Sequence, residues 1–264
     1  WGRQVYGPTR AEDIDALGFE VPGAHYLILE GDHDLYAAGS LTARFSINPV
    51  TTTPVAILPG GPNPGGGAVA EPGAVGGAAR LHGADYIETE LDPGMDLSGS
   101  ATVEAWVKLD RFDDTWTPIV NRASGESGGR AFELRVSNSG TLYAATRSSD
   151  GRFDSIQRGG AVQEGAWVHL AAVFDRGAGR QRLHVNGELV ADEAMSTAAA
   201  VASDAPIRIG RFEETSSAFG MLHGLVDEVR VWSRARTGDE IAAAYDRAAD
   251  AADPALALYL PFEA

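Results

Sequence analysis

The stretch "GLVDEVRVWSRARTGDEIAAAYDRA", residues 224–248, decides the fold. Its first part alternates as a strand. Leu225, Asp227, Val229 and Val231 fall on one face, and Val226, Glu228, Arg230 and Trp232 on the other. Thr237 and Glu240 then have capping-box spacing. They open a short helix whose Ile241, Ala244, Tyr245 and Ala248 share one side. The arginines of "RVWSRAR" (Arg230, Arg234, Arg236) have many acidic neighbours to pair with in a chain of net charge −16.

Upstream of this helix, from Leu81 onward, the chain reads as short strands. "LHGADYIETEL" (81–91) is followed by "ATVEAWVKL" (101–109). In the latter, Ala101, Val103, Ala105, Val107 and Leu109 oppose Thr102, Glu104, Trp106 and Lys108. "TPIVN", "RAFELRVS", "TLYAATR", "FDSIQ", "WVHLAAVF", "QRLHVNGELVADE" and "PIRIGRF" continue the series. Asn186-Gly187 predicts a two-residue hairpin turn, because both positions accept positive φ. Many short strands with turn signals between them predict a β-sandwich.

The flanks differ from this middle. Residues 1–53 predict a partial domain. Thr9 and Glu12 could cap one short helix, and "HYLILEG" (25–31) and "LTARFSI" (41–47) read as strands. Fifty residues make a poor independent core, so this part is expected to lean on something else. "GDHD" (31–34) is an acid–histidine cluster that reads as a metal site or as an exposed polar turn. Residues 59–79 hold eight glycines and four prolines. That composition predicts a linker over 54–77, because it offers little apolar surface to offset ordering entropy.

Composition excludes several classes. The acidic balance argues against a nucleic-acid backbone or an anionic membrane surface as partner, and leaves room for a hard cation. The absence of cysteine removes disulfides, thiolate zinc sites and cysteine nucleophiles. No apolar run has the length of a transmembrane helix. The chain begins at Trp1 with no signal-like segment, which predicts a processed or excised part of a longer product.

The ordered segments "ARLHGADYIE" (79–88), "TVEAWVKL" (102–109), "WVHLAAVFD" (167–175), "RLHVNGELVA" (182–191), "IRIG" (207–210) and "VDEVRVWSRARTGDEI" (226–241) together resemble the laminin-G-like, concanavalin-A-like module of bacterial surface and secreted proteins. The resemblance implies an all-β, antiparallel jelly-roll sandwich over 78–250, with a short C-terminal helix. Residues 1–53 would then form a strand-containing extension, and 251–264 a separate strand segment. "DPALALYLPFEA" (253–264) resembles the strand that usually opens such a module, yet here it follows the helix. Its alternation predicts a strand over 255–262. That strand would dock on this sandwich or on a neighbouring molecule.

The same resemblance implies a structural calcium ion. Asp227 would be the side-chain ligand, with Gly83 and Asp85 nearby, although His82 stands where the family commonly has an acid. Oxygen-only coordination suits such a set. Trp106, Trp167 and Trp232 sit where the family packs aromatics. Trp116, beside Asp113 and Asp114, and Arg152 with Phe153 lie in predicted loops, where recognition usually resides. Trp116 either anchors its own loop or presents its ring to a ligand. "ETELD" (88–92) offers alternating Glu88 and Glu90, but on a first strand where the family has no catalytic site. No strand matches the Glu-x-Asp-x(-x)-Glu signature of the related β-glucanases and no Gly-x-Ser-x-Gly elbow is present, so no enzyme is expected. The expected function is a secreted or cell-surface binding and adhesion module for a glycan or surface protein. The alternative is a structural subunit of a filament, surface layer or virion, pairing with copies of itself through terminal strands.

Overall fold

A computed structural model describes residues 28–29, 55–59, 69–83, 85–89, 95–112, 116–124, 129–203, 205–212 and 219–262. The expected strand pair over 25–47 lies outside these residues except for Ile28–Leu29, as do the acid–histidine cluster at 31–34 and the predicted ligand residues Asp113 and Asp114.

Two sheets face each other. The first contains β1 (Ile28–Leu29), β2 (Val55–Pro59), β5 (Asp85–Thr89), β7 (Trp116–Ser124), β8 (Gly129–Ser137), β9 (Leu142–Arg147), β10 (Phe153–Arg158) and β14 (Arg208–Ile209). Their order is β1-β2-β5-β14-β7-β8-β9-β10. The second contains β3 (Val69–Pro72), β4 (Gly77–His82), β6 (Ala101–Leu109), β11 (Val168–Asp175), β12 (Arg180–Val185), β13 (Glu188–Ala194), β15 (His223–Trp232) and β16 (Leu256–Leu260). Here the order is β13-β12-β11-β6-β15-β4-β3, with β16 also on β15. Apart from the parallel β1–β2 pair, neighbours are antiparallel, the arrangement of a jelly-roll sandwich.

Local signals place several elements. β6 sends Val103, Ala105, Val107 and Leu109 into the core between the sheets. Asn186 (φ 49°) and Gly187 (φ 82°) form the turn between β12 and β13, as the dipeptide predicts. The helix α1 (Gly238–Ala244) starts on the Thr237–Glu240 capping box. Its Ile241 packs on Ala171 and Val173 of β11, so α1 covers the outside of the second sheet.

The simple alternation expected for β15 fails at its middle. Register shifts between Asp227 and Arg230 against β6, and Glu228 takes a positive φ of 48°. This bulge inserts an extra residue, so Val226, Val229 and Val231 all reach the core. The same strand edge then has two partners. His223–Val226 pair with β4, and Val229–Trp232 pair with β16.

β16 therefore docks on the chain's own sandwich. Leu258, Leu260 and Phe262 join the inter-sheet core. A second register shift turns Leu256 to the other side, where it packs with Trp232 and Tyr259. Residues 54–77, expected as a linker, also carry strands. β2 pairs with β5, and β3 pairs with β4. Backbone bonding to an existing sheet edge gives such a segment a place without a core of its own. Pro59 and Pro72 end their strands, where a missing donor is tolerated.

Leu260 is fully buried. Leu260→Ala is expected to lower unfolding free energy by about 2–5 kcal/mol in a denaturant titration. A loss below the range for surface positions would show that β16 is not part of the cooperative core.

Candidate functional site

The outer face of the first sheet is set by β8. Phe132, Leu134 and Val136 enter the core, so Glu133 and Arg135 point away from it. Pairing aligns the neighbours. Asn121 lies opposite Glu133, Glu133 opposite Ala145, and Ala145 opposite Ser155. In the next row Pro118, Arg135, Tyr143 and Gln157 are aligned. Phe153 stands opposite Arg147 at the far edge.

Aromatic rings and guanidinium groups occupy this face. Trp116 and Tyr143 are 5.3 Å apart. The Arg135 guanidinium carbon lies 4.4 Å from the Trp116 ring centre and 4.1 Å from that of Tyr143. Phe212 and Phe219 stack at 4.2 Å. Arg130 lies 5.0 Å from Phe212, and Arg135 lies 5.0 Å from Phe219. Phe153 is 41% exposed, with Arg130 and Arg147 at 5.8 and 5.7 Å from its centre.

Beneath these groups is an unusual carboxylate. Glu133 is 1% exposed, and neither of its oxygens has a hydrogen-bond partner. Arg135 and Arg130 approach it only to 3.6 and 3.7 Å. Burial raises the Glu133 pKa, against the opposing charges of Arg135 and Arg130. Desolvation lowers that of Arg135. Asn121 donates to the carbonyls of Arg208 and Arg211, yet its Oδ1 is buried without a partner.

The structure puts two of the predicted ligand residues, Trp116 and Phe153, on this one face. They are separated by three strand spacings and about six residues of strand length, roughly 25 Å corner to corner. Arg152 is turned aside, donating to Asp154 at 2.9 Å. Glu133, Arg135, Tyr143 and Asn121 were not singled out in the sequence. Their alternation in "AFELRV" signals only a strand with charged residues outward.

The expected calcium set does not assemble. Asp227 is fully buried, and its Oδ2 accepts the Val75 N–H at 2.8 Å. Its Oδ1 has no partner. Asp85 is also buried, but its Oδ2 accepts the His82 N–H at 3.1 Å and lies 3.0 Å from His82 Nδ1. His223 faces His82 and Val226 faces Ala79. Continuing that register places Asp227 beside Ala78, five residues or roughly 16 Å from Gly83. Among the described residues no group of three acids or histidines could hold a metal ion. Asp227 keeps one unused oxygen, but Gly83 and Asp85 cannot complete its coordination.

Burial pushes the Asp227 carboxyl up to about 7, against the Val75 N–H that lowers it and together with the Glu228 charge that raises it. The native state therefore binds more protons than the unfolded chain between the ordinary carboxylate range and about pH 7. Stability from this group falls as pH rises through that window and is level above it. With chelator present throughout, wild type is expected to lose melting temperature from pH 5 to 8 relative to Asp227→Asn. Parallel profiles for the two proteins would refute this.

A family model described as the Concanavalin A-like lectin/glucanases superfamily, of laminin G type, matches residues 81–242. No curated protein matches the chain. Among solved structures, a candidate carbohydrate-binding protein from Bacteroides ovatus is 26% identical, with a TM-score of 0.54. That match covers 67% of this chain and 48% of the other. The binding domain of Paraclostridial Mosquitocidal Protein 1 matches at 12% identity and a TM-score of 0.55, over 76% of this chain and 50% of the other. The botulinum neurotoxin serotype G binding domain matches at 14% and 0.51, over 69% and 46%. The chain thus spans about half the length of these solved chains, and the last two matches establish likeness of fold alone.

Proposed function

This chain belongs to the concanavalin A-like lectin/glucanases superfamily, and on that premise we propose that it is a non-catalytic, extracellular module that binds a glycan on the outer face of its first sheet. The observation that carries this reading is the cluster of half-buried Trp116 and Tyr143 with Arg135, on the same face as the exposed ring of Phe153. Sugar rings offer apolar faces for aromatic side chains and hydroxyl groups that both donate and accept. This face supplies both kinds of partner. The carbohydrate-binding description of the Bacteroides ovatus protein supports the same reading.

Carboxylate spacing supports binding without hydrolysis. In the row of Glu133 the other acid is Glu88, reached across Asn121 and Arg208. Three strand spacings separate them, roughly 14 Å. Glycosidase pairs stand at about 5–9.5 Å. Glu88 is also held by Arg208 at 2.6 Å. Among the described residues no helix is long and apolar enough to cross a membrane.

A structural role in an assembly is the second reading, and it draws on β16. In this structure that strand completes its own sheet. Screening the protein on a glycan array tests the first reading. Wild type is expected to bind, and Trp116→Ala to weaken binding about tenfold, or about 1.4 kcal/mol, with an unchanged melting temperature. Absence of glycan binding together with concentration-dependent polymers in sedimentation would instead favour assembly.

A further inference from the structure

Several arginines of this acidic chain meet carboxylates directly. Arg230 lies 2.5 Å from Glu228, Arg236 2.7 Å from Glu104 and Arg234 2.8 Å from Glu240, and on the first sheet Arg208 lies 2.6 Å from Glu88. The arginines of β8 and β9 depart from this pattern. Arg130 and Arg135 share Glu133 at 3.7 and 3.6 Å, too far for hydrogen bonds. Arg147 has no carboxylate within ion-pair distance among the described residues, and its buried Nε has no hydrogen-bond partner. Arg135 Nε is likewise unused. Two guanidinium groups thus share one carboxylate and a third has none, on a chain whose net charge is −16.

Their placement is as informative as their number. Arg130 and Arg147 both lie against the exposed ring of Phe153, and Arg130 also reaches toward Glu133. The open end of the face therefore combines an accessible aromatic ring and two flanking cations.

We propose that this end is an acidic-sugar subsite: a carboxylate-bearing sugar residue stacks on Phe153, its carboxylate taken by Arg130 and Arg147. The assignment rests on the glycan-binding reading above and specifies its ligand class. A planar guanidinium matches a carboxylate as a two-point donor, and charge-assisted bonds of this type are stronger than those to neutral hydroxyls. A neutral sugar would leave the surplus guanidinium groups unmatched. A ligand anion balances them.

The test is calorimetric titration of the whole chain with three carboxylate sugars, galacturonate hexamer, hyaluronan hexasaccharide and sialyllactose. Galactan hexamer and lactose serve as neutral counterparts. At least one acidic ligand is expected to bind tenfold or more tightly than the neutral ones, with affinity falling between 50 and 300 mM salt. Arg147→Gln should reduce that affinity about tenfold while leaving the melting temperature unchanged. Arg130→Gln provides an independent second variant. Equal affinity for acidic and neutral sugars, or acidic binding unaffected by both substitutions, would overturn the subsite while leaving glycan binding intact. Failure of every sugar here and on the array would overturn both.

Discussion

Arg230 is the point at which three parts of the second sheet are tied. Its guanidinium is fully buried on the outer side of β15 and donates to Glu228 Oε2 at 3.1 and 2.5 Å. It also donates to the carbonyls of Ala244, at 3.1 Å, and Arg247, where the helix ends. Glu228 in turn accepts the Tyr259 hydroxyl at 2.7 Å, which fixes β16. Glu104 of β6 lies 3.6 Å from Arg230, takes Arg236 at 2.7 Å, and has His169 Nε2 at 3.3 Å. These partners hold Glu104 at about 2 despite burial that would raise it, whereas burial lowers the pKa of His169. Charges removed from water are tolerable only when their partners are in place. Removal of the guanidinium would leave Glu228 and the last carbonyls of α1 short of donors in a dry interior.

What the sequence disclosed was local. The capping box at Thr237, the turn at Asn186-Gly187 and the alternation of β6 each depend on residues close in the chain, and each has its expected form. The placement of β2 and β3 was hidden because glycine and proline carry no side-chain periodicity, while sheet-edge bonding depends on partners further along. The bulge at Asp227–Glu228 was hidden for a related reason. A run such as "LVDEVRVW" reads as regular alternation unless the two different neighbours of its edge are known. Strand register also sets Asp227 apart from Gly83 and Asp85, which the resemblance had placed together.

The candidate site shows the same limit more sharply. Glu133 belongs to a strand pattern that ordinarily places charge in solvent. Beside it, Arg130 and Arg135 meet the rings of Phe212 and Phe219, which come from a segment far away in sequence. Trp116 was visible as an unexplained ring, and the structure gives it companions rather than isolation. A cationic strip on an acidic molecule is also directional at long range, since fields of opposite sign on different faces bias how a charged ligand approaches.

The position of β16 bears on synthesis. Its leucines fill the space between the sheets, and it lies along the β15 edge from Val229 to Trp232. A ribosome that has finished α1 has made both sheets' other strands but not this one. The nascent domain then has an open seam, and its apolar interior stays wet until the last strand has cleared the exit tunnel. Closure follows at small entropic cost, because β16 is near β15 in sequence, whereas the pairing of Ala79 with Val226 already spans most of the domain. Compaction of this domain thus waits on β16, and the β15 edge from Val229 to Trp232 stays open in the interval.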